Sequence, residues 1–285
     1  MNYNLLISAE QLLQLRANQT PVRICDATFD LTDAAVGHEQ YLESHIPGAV
    51  YAHLDTALSD KHGTGVSGGR HPLPTREKFA AWLSSIGLTN DMQAVVYDRN
   101  GANYCGRLWW MLKWAGHNNV AVLDGGLQAW QAASGAVKSG PEAPNSSSKY
   151  ALSPSLFTLV ATKTVADNLG RPSQTLIDAR GAPRFRGEVE PLDPIAGHIP
   201  GALNRPFGQN IGADGKFKPA AELKKEFEAL LAGRDPATVV HHCGSGVSAI
   251  PNILAMEIAG LGPTGLYAGS WSDWCSDASR PMAQG

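Results

Sequence analysis

A chain of 285 residues and 30.2 kDa, 43% hydrophobic and 17% charged, has the composition of a globular protein of about two domains at ~100–200 residues each. Its formal charge is −3, 23 basic against 26 acidic residues, and it has no block of like charges, which argues against nucleic-acid and anionic-membrane partners. Its longest apolar runs, such as residues 108–112, fall far short of the roughly 20 residues a membrane span needs, and Leu5-Leu6-Ile7 is too short for a signal-peptide core, so a soluble, cytoplasmic protein is expected.

In chain order, the first landmark is Ile24-Cys25-Asp26-Ala27-Thr28, followed by the turn His45-Ile46-Pro47-Gly48-Ala49-Val50. The segments Tyr51-Ala52-His53-Leu54-Asp55 and Gly69-Arg70-His71-Pro72-Leu73-Pro74 come next. Gln93–Tyr97 predicts a buried strand and residues 106–115 the helix after it, with Trp109, Trp110 and Trp114 at helical spacing for packing. Between them stands Arg99-Asn100-Gly101-Ala102-Asn103. Leu123-Asp124-Gly125-Gly126, running to Trp130, completes this half. Residues 134–154, rich in Ser, Gly, Pro and Asn, have linker composition.

The second half repeats the first. Leu176-Ile177-Asp178-Ala179-Arg180 matches the first landmark, and His198-Ile199-Pro200-Gly201-Ala202-Leu203 matches the turn. Val239-Val240-His241-His242 matches Val95-Val96-Tyr97-Asp98, and Tyr267-Ala268-Gly269-Ser270, running to Trp274, matches the last. A period of about 150 residues is a duplicated domain, not a solenoid repeat of ~20–50. The expected organisation is a first domain over 1–140, a linker over 141–154 and a second domain over 155–285. Residues 238–242 predict a buried strand, and residues 220–231 and 248–259 predict helices. Strands alternating with helices predict an α/β fold, each copy a mainly parallel sheet flanked by helices. Ligands in such sheets sit beyond the carboxyl ends of strands, which directs attention to residues 98–106 and 243–248. His45 and His198 occur in both copies, so a structural role is expected, each ring bonded to backbone in its turn.

Four cysteines without a C-x-x-C pair are too sparse for a disulfide scaffold or a structural zinc site. Cys25 and Cys105 read as small buried hydrophobes. Cys243 differs, because it opens the loop Cys243-Gly244-Ser245-Gly246-Val247-Ser248-Ala249 at the end of a strand and ahead of a helix. Glycines there let backbone N–H groups converge on one point, and a helix N-terminus adds partial positive charge. A thiol so placed is stabilised as thiolate, the nucleophilic form.

Tandem copies with His-Ile-Pro-Gly-Ala landmarks, and a Cys-Gly-Ser-Gly-Val loop in the second copy alone, resemble the rhodanese-like sulfurtransferases over essentially the whole chain. The loop is most similar to the branch of that family that uses 3-mercaptopyruvate. The resemblance implies two rhodanese-like domains, the first without a catalytic cysteine because Arg99 stands in its place. It implies a double displacement in which Cys243 takes sulfur from a small-molecule donor as a persulfide. The sulfur then passes to a thiol or cyanide acceptor, thioredoxin among the candidates, with pyruvate released and neither metal nor redox cofactor required. It further implies a proton relay of Ser245, His71 and Asp55, with His53 and His62 as competing histidines. Donor binding falls to Gly244, Gly246, Val247 and Ser248 and to Arg184, whose guanidinium suits a carboxylate, Arg186 being a surface residue. The family's second substrate arginine is missing between Arg186 and Arg205, which predicts a loosened grip and a high KM.

Three other readings are weaker. A cysteine phosphatase needs an arginine six positions after the cysteine, where this chain has Ala249. Thiosulfate sulfurtransferases place cations directly after the cysteine, where this chain has Gly244 and Ser245, yet thiosulfate stays the alternative donor. A non-catalytic binding module would have no need of Cys243 with its glycine loop.

Overall fold

Short apolar runs bounded by polar turns form two five-stranded sheets with one topology. The computed structural model describes residues 2–63 and 65–285. In the first sheet β1 (Leu6–Ile7), β2 (Val22–Asp26), β3 (Val50–Tyr51), β4 (Gln93–Tyr97) and β5 (Val120–Leu123) lie in the order β1-β5-β4-β2-β3. In the second, β6 (Thr158–Leu159), β7 (Thr175–Asp178), β8 (Leu203–Asn204), β9 (Val239–His242) and β10 (Gly265–Leu266) lie in the order β6-β10-β9-β7-β8. All pairings between these strands are parallel, and the second order is the first repeated strand for strand. The expected α/β fold of two parallel sheets is the fold observed.

Registers place the site. Asp26 pairs with Tyr97 and Asp178 with His242, so each acid sits at the carboxyl end of its sheet beside the loop that leaves β4 or β9. Both central strands are buried along their whole length, which holds these ends rigid.

Packing repeats as well. Ile24, Val95, Tyr97, Leu123 and Trp130 belong to one core, and Val165, Leu176, Ile199, Val240, Trp271 and Trp274 to the other. Full burial of such a side chain is worth about 1.5–3 kcal/mol. The buried indoles of Trp130 and Trp274 each donate to a carbonyl, of Ala136 and Pro281. His45 accepts its expected role: Nδ1 bonds the Tyr41 carbonyl at 2.7 Å and the ring stacks on Tyr41. His198 does the same with the Phe185 carbonyl at 2.8 Å and the Phe185 ring. Trp109, Trp110 and Trp114 are buried in the helix Cys105–Trp114, close to the predicted bounds. Cys25 and Cys105 are buried free thiols, and burial pushes both upward, Cys25 to about 12, which makes them inert.

The helix Ala220–Leu231 has its predicted limits and buries Leu223, Phe227 and Leu231. The helix after Cys243 does not. It begins at Ile250, with Pro251 in its first turn, because residues 243–249 are used up in a wider loop. The chain forms two compact units: the first takes in residues up to 60, 74–156 and 213–216, the second residues 61–73, 157–212 and 217–285. Residues 61–73, part of the first sequence repeat, thus belong to the second unit. Among the described residues no helix is long and apolar enough to cross a membrane.

Candidate active site

Cys243 follows the last residue of β9 and is 2% exposed. Its backbone N–H donates to Ser270 Oγ at 3.1 Å, and its carbonyl accepts from the Trp271 N–H at 2.9 Å. The Gly244 carbonyl accepts from the Ser272 N–H at 2.9 Å. Three bonds thus fasten the loop to the helix Ser270–Trp274. Gly246 turns the chain with φ +74°, and a Cβ there would lie 2.3 Å from the Ala268 carbonyl oxygen, so the position requires glycine.

The first copy shows what such a loop can bind. Ala102, the counterpart of Gly246, also has positive φ, at +62°. Around it the backbone N–H groups of Asn100, Ala102, Tyr104 and Cys105 converge on the buried Asp98 carboxylate at 2.8–3.1 Å. This loop is a cradle for an anion, filled by its own side chain. The corresponding groups after β9 belong to Gly244, Gly246, Ser248 and Ala249, and the residue in Asp98's place is His242, which has no carboxylate to fill it.

Cys243 also displaces an ion pair. In the first copy Arg99, at the cysteine position, reaches back to buried Asp26 at 3.1 Å and to Thr28 Oγ1 at 2.7 Å. In the second, Arg180 stands where Thr28 would be and pairs with buried Asp178 at 2.7 Å. A buried carboxylate needs a cation, so losing the loop arginine to cysteine is matched by gaining one two residues after the acid. Burial works to raise the Asp178 carboxyl, but His242 and Arg180 outweigh it and hold it below the usual range. Burial also drives His241 down to about 3 and lowers His242, whose fall is opposed by the Asp178 carboxylate.

His71 comes to the loop from residues 61–73, where its Nδ1 lies 2.8 Å from Ser245 Oγ, both residues being buried. The segment is pinned by a Val66 N–H bond to the Leu73 carbonyl and an Arg70 N–H bond to Ser272 Oγ at 3.1 Å. Of the competing histidines, His62 is exposed, and His53 lies in the first unit with its ring against Phe29 and Tyr51. Asp55 also lies in the first unit, half-buried, its N–H donating to His53 Nδ1. Val247 is buried and Ser248 half-buried.

Arg184, on the helix Ala182–Arg186, pairs with Glu190 at 2.6 Å and Asp193 at 3.2 Å. Arg186 points to the surface and pairs with Glu188, as expected. Sequence reasoning missed Arg70, which pairs with Asp193, and Asp193 itself. It also missed Ser270 and Ser272. Arg70 precedes His71 directly, and both serines lie within the Gly269–Trp274 landmark, so the signal was adjacency to residues already singled out.

Comparison with known proteins places this geometry among relatives. Residues 8–133 and 161–277 each match the family described as Rhodanese-like domain. The chain is 44% identical over 281 residues to a probable 3-mercaptopyruvate sulfurtransferase of Pseudomonas aeruginosa, covering 98% of each chain. It is 40% identical to the putative thiosulfate sulfurtransferase SseB of Mycobacterium tuberculosis, covering 98% of this chain and 97% of that one. The solved 3-mercaptopyruvate sulfurtransferase SseA of Escherichia coli superposes with a TM-score of 0.78 at 30% identity, covering 95% of this chain and all of that one. Tum1 of Saccharomyces cerevisiae gives 0.85 at 28%, covering 98% and 97%.

Proposed function

The chain belongs to the rhodanese-like family, two copies of the domain in tandem, and we propose that it is a sulfurtransferase that takes sulfur from 3-mercaptopyruvate onto Cys243. The Cys243 thiolate attacks the donor sulfur, the donor's carbon–sulfur bond breaks, and a persulfide forms as the enolate of pyruvate leaves. The thiol proton of the donor travels through Ser245 and His71 to the enolate carbon, giving pyruvate. Backbone N–H groups of Gly244, Gly246, Val247 and Ser248 hold the negative charge, first on the thiolate and then on the terminal sulfur. Arg184 binds the donor carboxylate. A small thiol, thioredoxin or cyanide then removes the sulfur, and the thiolate returns.

The observation that supports this donor best is the 2.8 Å contact between Ser245 and His71 beside Cys243. Mercaptopyruvate needs a proton delivered to its leaving carbon, whereas thiosulfate leaves as sulfite without one. Thiosulfate is the second reading, favoured by the name of the 40% identical relative. Steady-state comparison separates them: 3-mercaptopyruvate is expected to have the higher kcat/KM, and a higher value for thiosulfate moves the protein to that branch. The intact mass after donor treatment should rise by one sulfur atom on Cys243. A chain that takes up no sulfur from either donor is not a sulfurtransferase.

A further inference from the structure

The turn at residues 269–273 supports the cysteine loop and the histidine-bearing segment together, and Ser272 touches both. Its backbone N–H donates to the Gly244 carbonyl at 2.9 Å. Its Oγ accepts from the Arg70 N–H at 3.1 Å and donates to the Gly269 carbonyl at 3.3 Å. Arg70 is bonded to His71, and Gly244 lies between Cys243 and Ser245, so one residue joins the backbones on either side of the 2.8 Å contact between His71 and Ser245. The segment before His71 is shaped for this seat. A Cβ on Gly69, where φ is +85°, would lie 2.5 Å from the Gly269 carbonyl oxygen and 2.7 Å from Ser272 Oγ, and one on Gly68 would collide with Asp273 Oδ1. Asp273 is itself pinned, its other oxygen accepting from Thr162 Oγ1 at 2.5 Å and from the Tyr267 hydroxyl at 2.7 Å. In the first copy Gln128 and Ala129 stand where Ser272 and Asp273 stand, and the Gln128 amide donates to the Arg99 carbonyl. The seat therefore belongs to the copy that carries Cys243.

From this geometry, and resting on the mercaptopyruvate reading above, we propose that Ser272 is a positioning residue for the proton relay: it fixes residues 68–71 against the cysteine loop and so keeps His71 on Ser245. Removing Oγ takes the acceptor from the Arg70 N–H, whereas the bond from the Ser272 N–H to Gly244 is made by backbone and survives. The cysteine loop then keeps its shape while the histidine drifts. A misplacement of about 1 Å can cost about 100-fold in rate. Proton delivery suffers and Arg184, which Ser272 does not touch, is left as it was, so the loss falls on kcat rather than on KM.

The test measures kcat and KM for 3-mercaptopyruvate in Ser272→Ala, Ser272→Thr and Gly68→Ala, and repeats Ser272→Ala and Gly68→Ala in a His71→Ala background. Gly68 is exposed, so Gly68→Ala lifts the segment from its seat without burdening the core and decides the matter even where Ser272→Ala does not fold. Ser272→Ala and Gly68→Ala are each expected to lower kcat roughly 10- to 100-fold with KM within about twofold of wild type. Ser272→Thr keeps the hydroxyl and should restore most of the loss. In the His71→Ala background both substitutions should cost less than about twofold more, because nothing is left for them to position. The same fold loss with and without His71 assigns Ser272 to packing and overturns the proposal. A kcat within about twofold of wild type in the single variants, or a loss confined to KM, overturns it as well. If wild-type Cys243 acquires no sulfur from saturating mercaptopyruvate, the donor reading itself fails, and the intact mass distinguishes that outcome from failure of the seat alone.

Discussion

Replacing sulfur by oxygen at Cys243 tests the proposed nucleophile, because Cys243→Ser changes one buried atom and leaves the bonds from its backbone to Ser270 and Trp271 in place. Turnover with excess thiol acceptor should vanish while the far-ultraviolet circular dichroism is unchanged, and substantial residual transfer refutes the mechanism. His71→Ala should lower kcat for mercaptopyruvate by ~10²–10⁴, the usual range for a general acid–base group. An unchanged kcat would reduce the Ser245 contact to packing. The identity of Cys243 is legible in the sequence, since glycines at 244 and 246 mark a backbone curl wherever they occur. The choice of His71 over His53 and His62 is not, because loop histidines carry no local pattern that says what they face.

Strand β9 joins catalysis to stability. It carries His241 and His242 into the buried end of the sheet and then delivers Cys243. His241 is neutral in the folded chain down to about pH 3 but protonates near pH 6.5 when unfolded. Below about pH 6.5 the unfolded state therefore binds the extra proton, and this residue's contribution to stability falls by about 1.4 kcal/mol per pH unit until its folded pKa is reached. Asp178, held low by His242 and Arg180, adds loss in the same direction below the usual carboxylate range. Urea unfolding of His241→Gln should show a shallower decline than wild type between about pH 6 and 4. Superimposable declines would mean that His241 is already protonated in the fold. The buried run that makes β9 a strand is visible in the sequence, whereas the start of the following helix is not. Ser248 and Ala249 fall within the helix that the sequence predicts, but the loop that turns at Gly246 takes them up.

At the scale of the molecule, sequence repeat and compact unit are different cuts through the chain. Residues 61–73 come from the first repeat, yet they supply Arg70 and His71 to the unit that holds Cys243. A fragment of residues 155–285 should therefore lack transfer activity even where circular dichroism shows it folded, since Ser245 loses its histidine and Asp193 one of its arginines. Full activity in that fragment would show that the first repeat supplies nothing to the chemistry.

Backbone preference and burial are written locally, so the sequence by itself determined the duplication, the parallel α/β sheets, the structural His-Ile-Pro-Gly turns and the cysteine loop. The sheets and the turns depend on spacing within a few residues and appear twice, and the first copy, with Arg99 where the second has Cys243, is a control for the loop. Partnerships between distant residues were decided only by the tertiary structure. The exchange of the Arg99–Asp26 pair for Arg180–Asp178 is two unremarkable substitutions until the register of β4 and β9 with their neighbours brings each acid beside its loop. Arg70 likewise reads as a loop cation far from Arg184, and packing of residues 61–73 against Ser272 puts both guanidiniums on Gly244. Hydrogen bonds and ion pairs act over a few ångströms in space and carry no signature at a separation of a hundred residues in sequence.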